Sequence, residues 1–297
     1  MSRFFPALDV SWSTPPDDDA VDRLLATIDD ERPIAVETRD GGVRIFFLSS
    51  GDRERAGLRA SAYHAGVVCT PVDVPDEHWA ERSQAALEPV EVGGLIVTPP
   101  WREAEARARR GRSGAPLLVV IIQPSMGFGT GHHATTRLCL NLMQRQSLMG
   151  ARVVDVGTGS GVLAIAAAAL GATDVVAIDS DPDALQSATE NIGLNRADAV
   201  VQPRLADLGL DGASLSASRP FDLVLANLTG AVLERYASVL ADLVAPGGSL
   251  IVSGCLADEA PNVERAFETM KMERSWREQA DEWVALAFTN PSASTTR

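Results

Sequence analysis

The segment RVVDVGTGSGVLAIAAAAL, residues 152–170, decides the fold. Its first five residues, rich in valine, are typical of a buried strand, and the apolar run 163–170 is typical of a helix. Between them stand Gly157, Gly159 and Gly161, and glycines at alternate positions let a backbone pass close beneath a ligand. The helix start beyond them offers unpaired N–H groups. This strand–loop–helix unit predicts a nucleotide-like ligand at the loop.

The spacing of the glycines distinguishes between cofactors. A dinucleotide fingerprint, GxGxxG, has its third glycine three residues after the second. Val162 occupies that position here, and Gly161 comes one residue earlier. The resulting GxGxG is typical of methyltransferases, and the GxxxxGK[ST] motif of nucleoside-triphosphate sites does not occur. The loop therefore favours S-adenosyl-L-methionine as the cofactor.

A carboxylate follows the next predicted strand, 174–179. Asp179 ends that strand beside the glycine loop, where a carboxylate can accept both hydroxyls of a ribose. Asp181 precedes Pro182 and is typical of a helix N-cap followed by proline at the first helical position. We therefore expect Asp179 to bind ribose and Asp181 to be structural.

Strands and helices alternate from residue 151 onward. Further strands are predicted at 199–204, 221–226 and 249–253, and further helices at 182–191 and 231–243. This alternation predicts an α/β fold, a Rossmann-like class I methyltransferase sheet. Two strands at 273–279 and 283–288 form an antiparallel C-terminal hairpin. Asn227 follows the fourth strand, where it could bind a substrate amine, hold the cofactor or form an Asx turn.

The N-terminal quarter has a different pattern, β-α-β-β-α-β, which predicts a small ferredoxin-like α+β domain. Its strands are expected at 7–12, 34–38, 43–48 and 67–72, and its helices at 20–28 and 54–65. The predicted organisation is a substrate-recognition domain at 1–75, a linker helix and strand at 76–100, a cofactor-binding catalytic domain at 101–290 and a disordered tail at 291–297.

Composition narrows the possible partners. The net charge of −14 disfavours DNA binding and suits either a basic protein partner or simple solubility. No apolar run approaches the roughly 20 residues of a membrane helix, and no signal peptide is recognised, so we expect a cytoplasmic protein. The three separated cysteines indicate no disulfide framework, and the four histidines show no metal-ligand spacing.

Two segments before the glycine loop have unusual compositions. The arginine-rich segment 102–112 could contact an acidic ligand, although such runs are more often solvated helices or mobile loops. The segment QPSMGFGTGHHATT, 123–136, precedes a helix predicted at 137–149, which Thr135 or Thr136 could cap. Neighbouring His132 and His133 point in different directions, which favours a backbone hydrogen bond over a shared metal.

The run FGTGHHATT, 128–136, resembles the FGTGTHPTT signature of the bacterial methyltransferases that modify ribosomal protein eleven of the large subunit. The resemblance continues through 155–161, 178–182 and 226–228, and upstream through 76–79, 88–90 and 100–101. His132 replaces the usual threonine and Ala134 the usual proline. The similarity is weakest over 1–70 and over 103–114, which resembles an insertion.

The resemblance implies methylation of lysine side chains and of the N-terminal amine of a basic ribosomal protein, with S-adenosyl-L-methionine as the cofactor. By motif position, Thr136, Gly157, Asp179 and Asn227 would contact the cofactor. The remaining cofactor-binding candidates come from the two glycine-rich segments, 128–136 and 155–161. They are Phe128, Thr130, Asp155, Gly159 and Gly161. Asn227 and the carbonyl of Leu228 are the catalytic candidates, since they could orient the attacking amine; no dedicated base is identified, and no metal is expected.

Three other interpretations remain open at this level. A methyltransferase of the same fold could act on another protein or on a small molecule. An NAD(P)-dependent oxidoreductase is disfavoured by Val162 and by the lack of a Tyr-x-x-x-Lys pair. A non-catalytic binding protein is disfavoured by the intact glycine loop with Asp179 and Asn227.

Overall fold

The computed structural model describes residues 4–13, 20–28, 31, 33–39, 41–63, 66–75, 87–112, 114–124, 133–217 and 220–291. The chain divides into two compact units, Met1–Ser83 and Gln84–Arg297. The boundary falls within the predicted linker 76–100. The predicted linker helix at 76–86 and the tail from 292 lie outside the described residues.

The first unit contains one four-stranded antiparallel sheet and two helices. The strands are β1 (Phe4–Trp12), β2 (Ala35–Arg39), β3 (Gly42–Phe46) and β4 (Val67–Pro75), and the helices are α1 (Ala20–Thr27) and α2 (Ser50–Tyr63). The strand order is β2-β3-β1-β4. Alternate residues of β1 and β3, such as Leu8, Val10 and Ile45, pack into a core with helical residues such as Leu24. The predicted β-α-β-β-α-β order is confirmed.

The second unit is organised around a seven-stranded sheet of order β10-β9-β8-β11-β12-β14-β13. Its strands are β8 (Arg152–Val156), β9 (Asp174–Asp179), β10 (Val201–Leu205), β11 (Phe221–Asn227), β12 (Val244–Leu256), β13 (Glu273–Ala280) and β14 (Trp283–Thr289). Strands β8 to β12 are parallel, whereas β14 is antiparallel to both of its neighbours, β12 and β13. The predicted parallel sheet with a C-terminal antiparallel hairpin is confirmed.

Helices cover both faces of this sheet. The short helix α3 (Glu103–Ala108) packs instead against a smaller sheet. The helices on the seven-stranded sheet are α4 (Ala134–Met143), α5 (Val162–Ala169), α6 (Pro182–Leu194), α7 (Leu208–Ala217), α8 (Gly230–Arg235), α9 (Ala237–Leu243) and α10 (Ala260–Thr269). Successive residues of β8 point to opposite faces, so Val153 belongs to one apolar core and Val154 to the other. A three-stranded sheet of β5 (Val90–Val92), β6 (Leu95–Thr98) and β7 (Leu118–Ile121) completes the unit.

Several element predictions differ from the structure. The helix expected at 137–149 runs from Ala134 to Met143, and His133 rather than Thr135 or Thr136 is its N-cap. The helix expected at 231–243 is interrupted at Tyr236, whose φ of −107° leaves the helical range and separates α8 from α9. Helices α7 and α10 were not predicted.

The arginine-rich segment begins as a short solvated helix, α3, with its own counter-charges. Arg107 pairs with Glu103 at 2.7 Å, and Arg109 with Glu105 at 2.6 Å, each one helical turn apart. Arg102 pairs with Glu88 and Glu105. The guanidinium of Arg110 donates to three carbonyl oxygens at the end of α3. These local partners favour the solvated-helix interpretation.

None of the helices described is long and apolar enough to cross a membrane.

Candidate active site

The glycine loop joins β8 to α5 in a backbone conformation that glycine adopts most readily. Gly157, Gly159 and Gly161 have φ of +69°, +54° and +82°, all in the left-handed region. The N–H groups of Gly157 and Thr158 both donate to the Ile178 carbonyl at 2.9 Å. The loop is therefore fixed to the end of β9, the strand that carries Asp179.

The Asp179 carboxylate is held from two sides. Its Oδ2 accepts from the Gly159 N–H, and its Oδ1 from the Asp181 N–H, both at 3.0 Å. Each carboxylate oxygen keeps a further lone pair for a ligand hydroxyl. Asp181 caps α6 by accepting from the Asp183 N–H at 2.9 Å, with Pro182 following, which confirms its structural role.

Asp155 was expected among the cofactor contacts, but its carboxylate lies buried beneath the loop. Its Oδ2 accepts from the Thr158 hydroxyl at 2.7 Å and from the Ala164 N–H at 3.1 Å. Burial raises the pKa of Asp155 to about 6, and these two hydrogen bonds only partly oppose that rise. Asp155 thus ties the loop to the first turn of α5 from below.

A cleft of about 690 Å³ opens above the loop, at the carboxyl ends of β8, β9, β10 and β11. The predicted residues Gly157, Gly159, Asp179 and Leu228 line it. Residues that sequence reasoning missed form much of the remaining wall, chiefly Ser187, Ala206, Asp207, Leu208, Val232 and Tyr236. Ala206 directly follows β10, so the rule that ligands bind at the carboxyl ends of parallel strands could have found it.

The other predicted contacts lie outside this lining. Thr136 is buried in the first turn of α4, and Gly161 is packed against α6, where an added Cβ would lie 3.3 Å from the Ala188 Cβ. Asn227 is half-buried at the end of β11, and its side chain has no hydrogen-bond partner among the residues described. Phe128 and Thr130 lie outside the described residues.

Leu228 connects the end of β11 to the loop. Its N–H donates to the Ser253 carbonyl at 2.9 Å. Its side chain lies over the loop, since a Cβ on Gly157 would be 2.5 Å from the Leu228 Cδ2. The segment Asn227–Leu228 is therefore placed beside the cleft by β11 and β12 together.

Two asparagines at the C-terminal end of α6, Asn191 within the helix and Asn195 as its C-cap, support the loop region and were not predicted. The Asn191 amide donates to the Ser160 carbonyl and accepts from the Gln123 N–H, both at 2.8 Å. Asn195, one turn later, accepts from the Ile121 N–H at 2.8 Å and donates to the Ile121 carbonyl at 2.6 Å. One helix thus holds both the glycine loop and the start of the segment 123–136.

His133 makes the backbone hydrogen bond favoured from the sequence. Its Nδ1 lies 2.7 Å from the Thr135 hydroxyl and accepts from the Thr135 N–H at 3.4 Å. The His133 ring also packs edge-on against Trp283, with the centroids 4.9 Å apart. His133 therefore begins α4, and His132 lies outside the described residues.

The strand order, the antiparallel β14 and the glycine loop followed by Asp179 define the class I methyltransferase fold, a Rossmann-like sheet. A family model described as ribosomal protein L11 methyltransferase (PrmA) matches residues 54–291. The chain belongs to the ribosomal protein L11 methyltransferase family.

Individual relatives agree with this assignment. The chain is 37% identical over 252 residues to the ribosomal protein L11 methyltransferase of Burkholderia cenocepacia strain HI2424, covering 83% of this chain and 78% of the relative. The same values hold for the relative from Burkholderia multivorans. A crystal structure of ribosomal protein L11 methylase from Lactobacillus delbrueckii subsp. bulgaricus aligns with a TM-score of 0.57 and 28% identity, over 69% of this chain and all of that one.

Proposed function

We propose that this methyltransferase binds S-adenosyl-L-methionine in the cleft and methylates amine nitrogens of ribosomal protein L11, on lysine side chains or the N-terminus. The observation that carries the proposal is Asp179, whose two oxygens are oriented at the cleft edge beside the glycine loop. The substrate is inferred from the names of the relatives, and a chain of net charge −14 suits a basic partner.

The residues present fit the cofactor. A cleft of about 690 Å³ lies within the usual size of small-molecule sites, about 300–1,000 Å³. Asp179 would accept the ribose hydroxyls, and the backbone at Gly157 and Gly159 would approach the amino-acid portion. Apolar side chains of the lining, including Ile178 and Leu208, would pack against the adenine ring.

When bound, S-adenosylmethionine supplies a methyl group whose carbon–sulfur bond breaks, leaving its electron pair on sulfur, as the amine lone pair forms the new carbon–nitrogen bond. The chain's own contribution is orientation. The Asn227 side-chain oxygen and the Leu228 carbonyl would accept hydrogen bonds from the amine and direct its lone pair. Correct placement of two reactants can lower a barrier by about 7–11 kcal/mol.

The amine must be neutral before it attacks. A lysine ammonium has a pKa near about 10.4, and desolvation beside the cleft would lower it. No side chain of the described part stands out as a base, so the proton would leave to water. We therefore expect the rate to rise with pH through the pKa of the bound amine.

Calorimetric titration with S-adenosylmethionine tests the cofactor site. We expect D179N to weaken binding at least tenfold, because its amide NH2 must face either the Gly159 or the Asp181 N–H and can no longer serve as an acceptor there. The matched control is D174N, which makes the same change at the opposite end of β9, where Asp174 pairs with Arg152. Equal affinities in D179N and wild type would refute the ribose assignment.

The acceptor is tested by incubating the protein with labelled S-adenosylmethionine and unmethylated L11, followed by peptide mass spectrometry. Methyl groups on lysine or N-terminal nitrogens are expected. Label that appears in a different protein of a methylation-deficient extract, with none in L11, would favour the alternative of another substrate for the same fold.

A further inference from the structure

The strand β12 contains a bulge next to the cleft. Its pairing with β14 matches Ser253 with Ala285 and then Cys255 with Val284, which leaves Gly254 as the extra residue. Gly254 has a φ of +93°, a conformation that residues with a side chain rarely adopt. The strand therefore bends at Gly254, one residue after its last pairing with β11, which joins Ser253 to Asn227.

The bulge lies directly against the backbone of Leu228. A Cβ on Gly254 would overlap the Leu228 carbonyl oxygen and lie 2.8 Å from the carbonyl carbon and 3.1 Å from the nitrogen. The Leu228 N–H is bonded to the Ser253 carbonyl, on the neighbouring residue of the bulge. Since the opposing atoms are backbone, they cannot yield by a change of rotamer.

The bulge is also tied down on its other side. The Ser253 hydroxyl donates to the Val284 carbonyl at 2.8 Å, and the Cys255 thiol approaches the same oxygen at 3.8 Å. Both side chains are fully buried. Ser253 and Cys255 thus both contact the Val284 carbonyl oxygen of β14. These contacts fix the position of the bulge relative to Leu228.

From this geometry we infer that Gly254 is a positioning residue for methyl transfer, which sets the Leu228 carbonyl and Asn227 at the rim of the cleft. The inference rests on the proposed function, in which these groups orient the amine. A Cβ at position 254 would push the Leu228 carbonyl away from its site. A displacement of about 1 Å between reacting groups can cost about a hundredfold in rate. The hydrogen bonds that hold the Asp179 carboxylate, from the Gly159 and Asp181 N–H groups, involve neither Leu228 nor Gly254.

The test compares G254A with G247A. Both glycines lie in β12 and have positive φ, +93° and +79°, but a Cβ on Gly247 meets nothing within 4 Å. The two variants therefore share the backbone strain, and only G254A carries the overlap with Leu228. We expect G254A to lower kcat at least tenfold while the Kd for S-adenosylhomocysteine, measured by calorimetry, changes less than threefold. G247A should keep the wild-type kcat.

Hydrogen exchange supplies a readout that is independent of turnover. In G254A the Leu228 amide should exchange faster, because its bond to Ser253 is strained, whereas G247A should leave it protected. If G254A does not fold, S253A replaces it, since that variant keeps Gly254 but releases the bulge from Val284. S253A should then lower kcat without weakening S-adenosylhomocysteine binding.

Wild-type kcat in folded G254A, or in S253A when G254A does not fold, would overturn the inference. A parallel loss of kcat and cofactor affinity would also overturn it, because the effect would then not be confined to the acceptor side. Failure of the wild-type protein to bind the cofactor or to methylate an amine would instead refute the proposed function.

Discussion

Replacing Asp155 by asparagine should make the stability of the protein less sensitive to pH between about 4 and 6. The Asp155 carboxylate is buried, and the Thr158 hydroxyl and the Ala164 N–H both donate to the same oxygen, Oδ2. An amide oxygen in that position can accept both bonds. D155N therefore removes the buried charge while it leaves the loop geometry in place.

The magnitude follows from the pKa of Asp155, which burial raises from its ordinary 3.8 to about 6. One pKa unit corresponds to about 1.36 kcal/mol, so the buried charge costs about 3 kcal/mol of stability. Because the folded protein holds this proton more tightly than the unfolded chain, the cost is fully present above pH 6 or so. It is relieved as the pH falls through the folded pKa toward that of the unfolded chain, near 4.

Urea unfolding of wild type and D155N across this range measures the effect. The free energy of unfolding of D155N minus that of wild type should be about 2 kcal/mol more positive at pH 8 than at pH 4, because part of the cost remains at pH 4, whatever constant penalty the amide introduces. D198N, which alters an exposed carboxylate of the same unit, should show no comparable change. If the free energies of unfolding of wild type and D155N changed in parallel with pH, the inference that Asp155 carries a destabilising buried charge would be refuted.

Three further changes test the supports of the cleft. G161V should lower the free energy of unfolding by about 2 kcal/mol or more, because of its positive φ and the close Ala188, and an unchanged melting temperature would contradict this packing. N191L should cost about 2–4 kcal/mol in urea unfolding, since Ser160 and Gln123 both lose a partner, and a neutral result would mean that water replaces the amide. H133A should cost about 1 kcal/mol as a lost helix cap, measured by thermal unfolding, and wild-type stability would mean that the Thr135 N–H needs no cap.

The centre of the site was predictable because its signals come from residues that are close together in the sequence. The strand, the three glycines and Asp179 lie within 28 residues of one another, and each signal depends on backbone conformation or on a strand end rather than on distant contacts. Asp181 and Pro182 likewise specify the start of α6 through capping alone. The antiparallel hairpin at the C-terminus was predictable because two β-rich segments flank a short polar turn.

Several features leave no recognisable pattern in the sequence and were not predictable. Asn191 is an ordinary helical residue in sequence, and only the fold brings it to Ser160 and Gln123. The carboxylate of Asp155 was assigned to the ligand because its motif position does not reveal that Thr158 and Ala164 take its Oδ2. Helix α7 was missed because its sequence has no apolar stripe at helical spacing. Its leucines occur among glycine, serine and alanine.

The two asparagines at the C-terminal end of α6 have a consequence for engineering the enzyme. Because Asn191 holds Ser160 and Gln123, and Asn195 holds both backbone groups of Ile121, one helix face keeps two separate stretches of chain in register. A chimera that imports the segment 121–136 from a relative would need both asparagines, because they bind Ile121 and Gln123 at its start. Transplanting that segment together with α6 should succeed more often than transplanting it alone.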